Sequence, residues 1–498
     1  MMTGLLISLS LLLPLTDSLS AVERSYARGE KLRVNEGESA AAYLFGPDAS
    51  YTGAAASWSY AKDPAPLVRE EGKGLSEGQI RIATLVRLDS LSAVRGRVRY
   101  VNGVKRDVLW NSSSDFSTVY PYVMADTVGG DLRKEEYAFS AGYTARRGHF
   151  HWGVEGAYRA LHEFRQADPR PRNIVSDLSI AASAGWRPVP GYVLDATLGY
   201  RRYSQRQTMS FLNARGKNTS ILHLTGLGSH FSRFSGATDA YMDTRYAGNG
   251  VTLSAAWIPL QDKGWNAAVS YRLLDLVHYL PNQNEVPYTE LYTRTVNLSL
   301  HYLSRGSEVG WKAGVFARYQ WRIGQESILD NGAAGYIKEL ARANMFNSGT
   351  LSAGVDGLLQ WRQRWSLEAR AAYSRNEEIY AYPVRLMAYS GLRAGLDAAY
   401  RRQSGPWHWK TALGGGLYRP MVGTLRIPEA DTDARIAAYW QEHDARLRVA
   451  SLDARLVVYA ERQLSARLSL YVEASGRAVF PTGYSPAFYS TLSAGINF

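Results

Sequence analysis

YAFSAGYTARRGHFHWGVEGAYRA, residues 137–160, decides the fold. Tyr137, Phe139, Ala141, Tyr143 and Ala145 fall on one side of an extended chain, and Ala138, Ser140, Gly142 and Thr144 on the other. After a short polar break at 146–149 the pattern restarts, with Trp152, Val154, Gly156, Tyr158 and Ala160 against His151, Glu155 and Arg159. Two period-two runs joined by a Gly-containing turn read as an antiparallel hairpin.

Working outward, the alternation recurs in segments beginning near Gly53, Gln79 and Ala93 before this hairpin. After it come others near Asp177, Tyr192, Val251, Trp265, Thr295, Trp311, Thr350, Trp365, Gly391, Trp407, Ala450, Arg467 and Tyr489. A β-sandwich could show one such pair but would not keep doing so to residue 498. The connectors alternate in kind. Short ones fall at 89–91, 146–149, 188–191, 259–264, 305–310, 362–364, 402–405 and 461–464; long ones fall at 61–77, 110–134, 163–175, 204–250, 281–292, 324–347, 375–390, 419–446 and 476–486. Short turns on one rim and long loops on the other are what a transmembrane antiparallel β-barrel requires, with an even strand count returning both ends to the periplasm. The fold class expected is therefore all-β, a barrel of about 18 strands, or 16 if one hairpin merges with its neighbour.

Tryptophan tests this topology independently. Trp152, Trp186, Trp257, Trp265, Trp311, Trp361, Trp365, Trp407 and Trp409 all flank short turns, the placement of an aromatic girdle at the periplasmic interface. Composition agrees, with 33 Tyr, 13 Trp, 45 Gly and no Cys. The missing cysteine excludes a disulfide framework, a thiolate metal site and a lipoprotein anchor. Leu5 to Leu15 reads as the apolar region of a signal peptide, too short to span a bilayer, with cleavage expected before Ala21. The domain expectation is a signal peptide at 1–20, a short periplasmic or lumenal segment at 21–50 and the barrel at 51–498. The terminal YSTLSAGINF puts Ser490, Leu492, Ala494, Ile496 and Phe498 on one face, resembling the last strand that the outer-membrane assembly machinery recognises, with Phe498 as the signal. The compartment expected is the cell outer membrane.

Three stretches, SDFSTVYPYVMADTVGGDLRKEEY (114–137), DPRPRNIVSDL (168–178) and LHLTGLGSHFSRFSG (222–236), resemble an uncharacterised family of outer-membrane β-barrel proteins found in Bacteroidetes. The resemblance implies barrel fold and location and carries no ligand or catalytic residue. It also implies a neighbouring energised receptor as a partner, and hence nutrient uptake.

The candidate chemistry is sparse. The nine histidines are dispersed and none opens a His-x-x-x-His spacing, so no metal or other cofactor is expected. His301 has Ser299 two residues away on its own face, which alone makes no catalytic set. Gly129–Gly130 and Gly414–Gly416 lack the Lys and the helix of a phosphate loop. The formal net charge of +12 would allow nucleic acid. Export removes that partner and substitutes outer-membrane lipid and anionic lipopolysaccharide.

Inward positions carry both signs of charge: Glu155, Arg159, Asp195, Arg201, Glu368, Arg370, Arg393 and Asp397 can pair across strands. The second and third strands differ. Ile80, Ile82 and Val86 face lipid, so Arg81 and Arg87 face inward; Val94, Val98 and Tyr100 face lipid, so Arg95, Arg97 and Arg99 face inward as well. Arg81 should lie opposite Arg99, and like charges so placed repel unless water, an anion or an acidic segment separates them. Three readings stay open: water-screened wall structure, contact with an amino-terminal plug carrying Glu36 and Glu38, and a site for an anionic solute. The function expected is passage or uptake of a small, anionic solute. The alternatives are a scaffold barrel binding partners through long outer loops and, behind it, an outer-membrane enzyme. About thirty residues precede the first strand, too few for a separate plug domain.

Overall fold

The computed structural model describes residues 39–41, 50–212, 221–236, 241–260, 263–330, 337–362, 364–428, 434–465 and 468–498. The expected signal peptide and residues 21–38, with Glu36 and Glu38, lie outside them.

In chain order the strands are β1 (Tyr51–Lys62), β2 (Gly74–Arg87), β3 (Ser92–Val108), β4 (Val123–Asp126), β5 (Gly130–Arg147), β6 (Phe150–Phe164) and β7 (Arg170–Trp186). There follow β8 (Tyr192–Ser210), β9 (Ile221–Gly226), β10 (Ser229–His230), β11 (Thr244–Pro259), β12 (Gly264–Leu280), β13 (Val286–Arg305) and β14 (Val309–Leu329). The last are β15 (Glu339–Trp361), β16 (Trp365–Tyr380), β17 (Arg385–Ser404), β18 (Trp407–Arg426), β19 (Ser451–Gln463), β20 (Ser469–Pro481) and β21 (Ala487–Asn497). Eighteen of them form one antiparallel sheet, each pairing with its chain neighbour in the ring, and β1 pairs with β21 as well as β2. The seam closes in register, Ser57 opposite Ser493 on one side and Gln79 on the other, and Thr52 and Phe498 exchange two backbone hydrogen bonds of 3.0 Å. Closure leaves no strand edge, which is why such a sheet can sit in hydrocarbon.

The alternation read from the sequence is realised residue by residue. Ile80, Ile82, Val94, Val98, Leu194, Leu198, Val315, Val355, Leu392, Leu396, Leu413 and Leu456 are all exposed on the outer face. In water that continuous apolar belt would be an aggregation surface; in a bilayer it is the solvent-matched face. Trp152, Trp186, Trp265, Trp311, Trp361, Trp365, Trp407 and Trp409 are also exposed beside the short turns, and Trp257 stacks on Tyr192 at 4.9 Å. This is an integral outer-membrane barrel.

The long connectors differ from expectation. The connector expected at 163–175 is only the gap between Phe164 and Arg170, and that at 375–390 only the gap between Tyr380 and Arg385. Strands β13, β14 and β15 run 20, 21 and 23 residues, against the roughly 9–11 that cross a bilayer. Above the membrane neither face meets lipid, so alternation fades while the ladder continues, because pairing still satisfies backbone N–H and C=O groups. Segments of the connectors after β3, β8 and β18 turn inward, and these position the site.

Candidate functional site

The arginine ladder has the register the alternation predicts: Arg81 opposite Arg99, Ala83 opposite Arg97, Leu85 opposite Arg95 and Arg87 opposite Ala93. Arg81, Arg95, Arg97 and Arg99 line a cavity of about 1160 Å³, together with Arg159, Arg201, Arg272, Arg318 and Arg322 from strands further round the ring. Against these nine guanidinium groups the described lining holds two carboxylates, Glu155 and Asp177. The remainder is mostly hydroxyl and amide: Ser140, Ser179, Thr252, Ser254, Thr295 and Gln320 among them. Arg87, beside the short turn, is not part of this lining. Arg81, Arg87 and Arg95 each have an interaction partner, and Arg99 pairs with Glu136.

Beneath the cavity residues 39–41 pack against the inner face of the wall. Ser39, Ala40 and Ala41 are buried, Ala41 N–H donates to Ser183 Oγ at 2.9 Å, and Ser39 forms part of the cavity lining. Ser183 and Gly153, against which Ala40 lies, stand near the periplasmic turns.

Above the cavity sits a plug made from outer connectors. The segment between β3 and β5 dips into the lumen, forms the short helix α1 (Phe116–Val119) and then β4, which pairs antiparallel with β9 of the β8–β11 connector. Leu227 and Gly228, at φ 49° and 77°, make the two-residue turn into β10. On that turn packs α2 (Ala434–Leu447), from the β18–β19 connector, so closely that a Cβ on Gly228 would come within 2.6 Å of Ile436. Phe116, Tyr120, Tyr122 and Val123 form one buried cluster with Leu161, Val175, Tyr203, Tyr246, Leu276, Leu291, Phe346, Tyr380 and Met387, side chains of nine wall strands. Tyr120 meets the Phe346 ring edge-on, centroids 6.0 Å apart.

Polar ties fix the plug. The buried pair Arg165–Asp126 is 2.9 Å long, and Asp126 also accepts from Ser112 Oγ at 2.6 Å and Gly129 N–H at 2.7 Å. Asn173 and Gln207 donate to the Ser112 carbonyl at 2.8 and 2.9 Å. Arg322 donates to the carbonyls of Tyr120 and Ser117 at 2.8 and 2.7 Å, at the end of α1. At its start Asp115 is held by Arg159 and by Tyr203 OH, the latter at 3.0 Å. A second cavity, about 530 Å³, lies beside the β1–β2 connector on the outer side, and Ser117 borders both cavities. There Glu70 is buried and accepts from Tyr439 OH of α2 at 2.7 and 2.8 Å, while burial pushes its carboxyl up to about 7.

These features can be set beside known proteins. The model described as "Family of unknown function (DUF6850)" matches residues 40–498. The chain belongs to that family. No curated protein matches the DUF6850 chain. Among solved structures it is similar to the ferric-catecholate import receptor Fiu from E. coli K12, with 8% identity over 91% of this chain and 82% of that one and a TM-score of 0.38. It is also similar to BauA, the ferric preacinetobactin receptor from Acinetobacter baumannii, at 8% identity over 91% and 80% of the two chains, TM-score 0.42. A third is the outer-membrane transporter YddB from Escherichia coli, at 7% identity over 90% and 81%, TM-score 0.42.

The lumen charges singled out in the sequence find partners both inside and outside that set. Arg159 pairs with Asp115, Glu136 and Asp177, and Arg201 grips Asp177 with two bonds of 2.7 Å. Asp195, buried near Ser39, is in none of these pairs. Asp397 pairs with Arg455 at 3.1 Å, and Arg393 lies over the Tyr418 ring. Asp397 reaches Arg455 across the intervening strand because Gly414 is bare: a Cβ there would lie 1.8 Å from Asp397 Oδ1. Arg370 lies over the Phe316 ring at 3.9 Å, and Glu155 and Glu368 have partners of their own.

His301 Nε2 bonds Asp356 at 2.8 Å, but Ser299 Oγ has no hydrogen-bond partner, so Ser299 is not joined to His301. Among the described residues no group of three or more His, Asp or Glu side chains could hold a metal. The sequence reading missed Asp115, Asp126, Glu70 and Arg322. Its available signal was the density of Phe116, Val119, Tyr120, Tyr122, Val123 and Met124 in a connector assigned to water.

Proposed function

We propose that this barrel passes a small anionic solute across the outer membrane through its basic lumen, with inward-folded outer connectors as the closure. The observation that carries the reading is the 1160 Å³ cavity with nine arginines against two carboxylates. Low-dielectric walls focus such a surplus and raise the local concentration of anions. Of the acids at hand, Asp177 is engaged by Arg201 and Arg159, and Glu136, outside the lining, by Arg99 and Arg159. The plug core favours a second reading, a permanently closed scaffold barrel. Purified protein in planar bilayers separates them: passage requires openings, with an anion-directed zero-current potential in a salt gradient. A lumen that stays silent when the plug is loosened sinks the transport reading. Phe498, whose ring is exposed beside the β1–β21 seam, serves in this account as the assembly signal.

A further inference from the structure

We propose that the arginine cavity is a binding site for a solute bearing phosphate-like oxyanion groups, and that its occupation releases α1, the partition between the two cavities. This rests on the reading of the lumen as an anion passage. The argument starts from which side chains hold α1. Both ends are tied by guanidinium groups that also line the cavity: Arg159 of β6 holds Asp115 before the helix, and Arg322 of β14 holds the Ser117 and Tyr120 carbonyls at its end. The two strands are separated in the ring by β7, β8, β11, β12 and β13, so the helix is strung between distant parts of the wall.

Arginine presents a planar fork of donors that matches an oxyanion bidentately, and the pair adds a charge–charge attraction that a neutral carbonyl does not offer. An oxyanion in the cavity therefore competes with the two α1 carbonyls for Arg322 on favourable terms. It also repels the Asp115 carboxylate from Arg159 and offers that guanidinium a replacement. Both ties weaken together because both arginines face the same volume. Ser117 borders the outer 530 Å³ cavity as well, so movement of α1 joins the two spaces.

The test uses the full chain in detergent, with inorganic pyrophosphate as the probe and ionic strength held constant with chloride. Binding is read by calorimetry and release by hydrogen exchange at the Thr118, Tyr120 and Tyr122 amides, which bond within this segment at 2.7, 2.8 and 3.1 Å. Saturable binding with roughly tenfold faster exchange at those amides is expected, and no comparable change in the wall strands. Arg322→Gln should raise basal exchange and abolish the response. Should that variant not fold, Asp115→Asn, which leaves the wall intact, should raise basal exchange while still binding pyrophosphate. Binding with unchanged or slower exchange overturns the release mechanism yet leaves anion passage standing, since passage is read separately by the zero-current potential. Absence of saturable binding overturns the site.

Discussion

On its lipid side the β2–β3 hairpin presents Ile80, Ile82, Val94 and Val98, all at even spacings along their strands, whereas the plug above the arginine cavity is built from 116–125 and 221–227, which repeat nothing. The wall is held by a ladder of near neighbours, and any residue of suitable polarity serves at most positions. The plug is held by contacts between residues far apart in the chain, among them Tyr120 with Phe346 and Glu378, or Glu70 with Tyr439. Its buried polar ties must each be completed, because an unpaired charge in a filled lumen is costly. The wall should therefore tolerate change that undocks the plug.

The largest effect expected is from Asp126→Ala. It strands Arg165, whose side chain is 1% exposed, and removes the acceptor for Ser112 and Gly129, at about 3–5 kcal/mol. Exchange and protease sensitivity across 110–129 should rise sharply while the protein keeps the heat-modifiable mobility of a folded barrel. If the barrel itself fails to form, wall and plug are one cooperative unit and the distinction collapses.

The contrast also explains what could be read beforehand. Lipid imposes period two on every strand it touches, so the eighteen strands and the outward tryptophans followed from the alternation along the whole chain, and the inward facing of Arg81 and Arg99 from Ile80, Ile82, Val94 and Val98. It imposes nothing above the membrane or in the lumen. Hence β8 was expected to stop near 204 but runs to Ser210, and Arg201, expected only to pair across strands, takes Asp177. Asp177 sits opposite Tyr203 in the ladder, so its bond to Arg201 is diagonal, a choice that alternation cannot select.

Acidity should act on the plug's outer cover and spare the wall. Burial raises Glu70 to about 7 from 4.5, so below pH 4.5 docked and undocked forms both hold the proton and the contribution is full. As pH climbs toward 7 the undocked form loses its proton first, and docking of α2 on the β1–β2 connector weakens by about 3 kcal/mol. His443 on α2 works in the opposite sense: burial lowers it to about 4 from 6.5, so docking weakens as pH falls through that range. Protection of the α2 amides, after correction for intrinsic exchange, should be greatest near about pH 5.5. Glu70→Gln should abolish the alkaline limb alone; an unchanged limb in that variant would assign it to another group.

The smallest effect on stability is expected at the seam. Phe498 is 61% exposed and its backbone makes the closing bonds, so Phe498→Asp should cost well under about 1 kcal/mol of folded barrel. Its outer-membrane level should nevertheless fall while export continues. Equal amounts of heat-modifiable protein in variant and parent would remove Phe498 from the assembly account.

The most direct measurement of the central claim is the zero-current potential of the Asp126→Ala protein in a planar bilayer under a low-salt KCl gradient. Loosening the plug should produce frequent openings that prefer chloride, less so as salt rises, and changing Arg95, Arg97 and Arg99 to Glu in the same background should weaken or reverse the preference. An open lumen that prefers potassium, or one indifferent to those three changes, would contradict it.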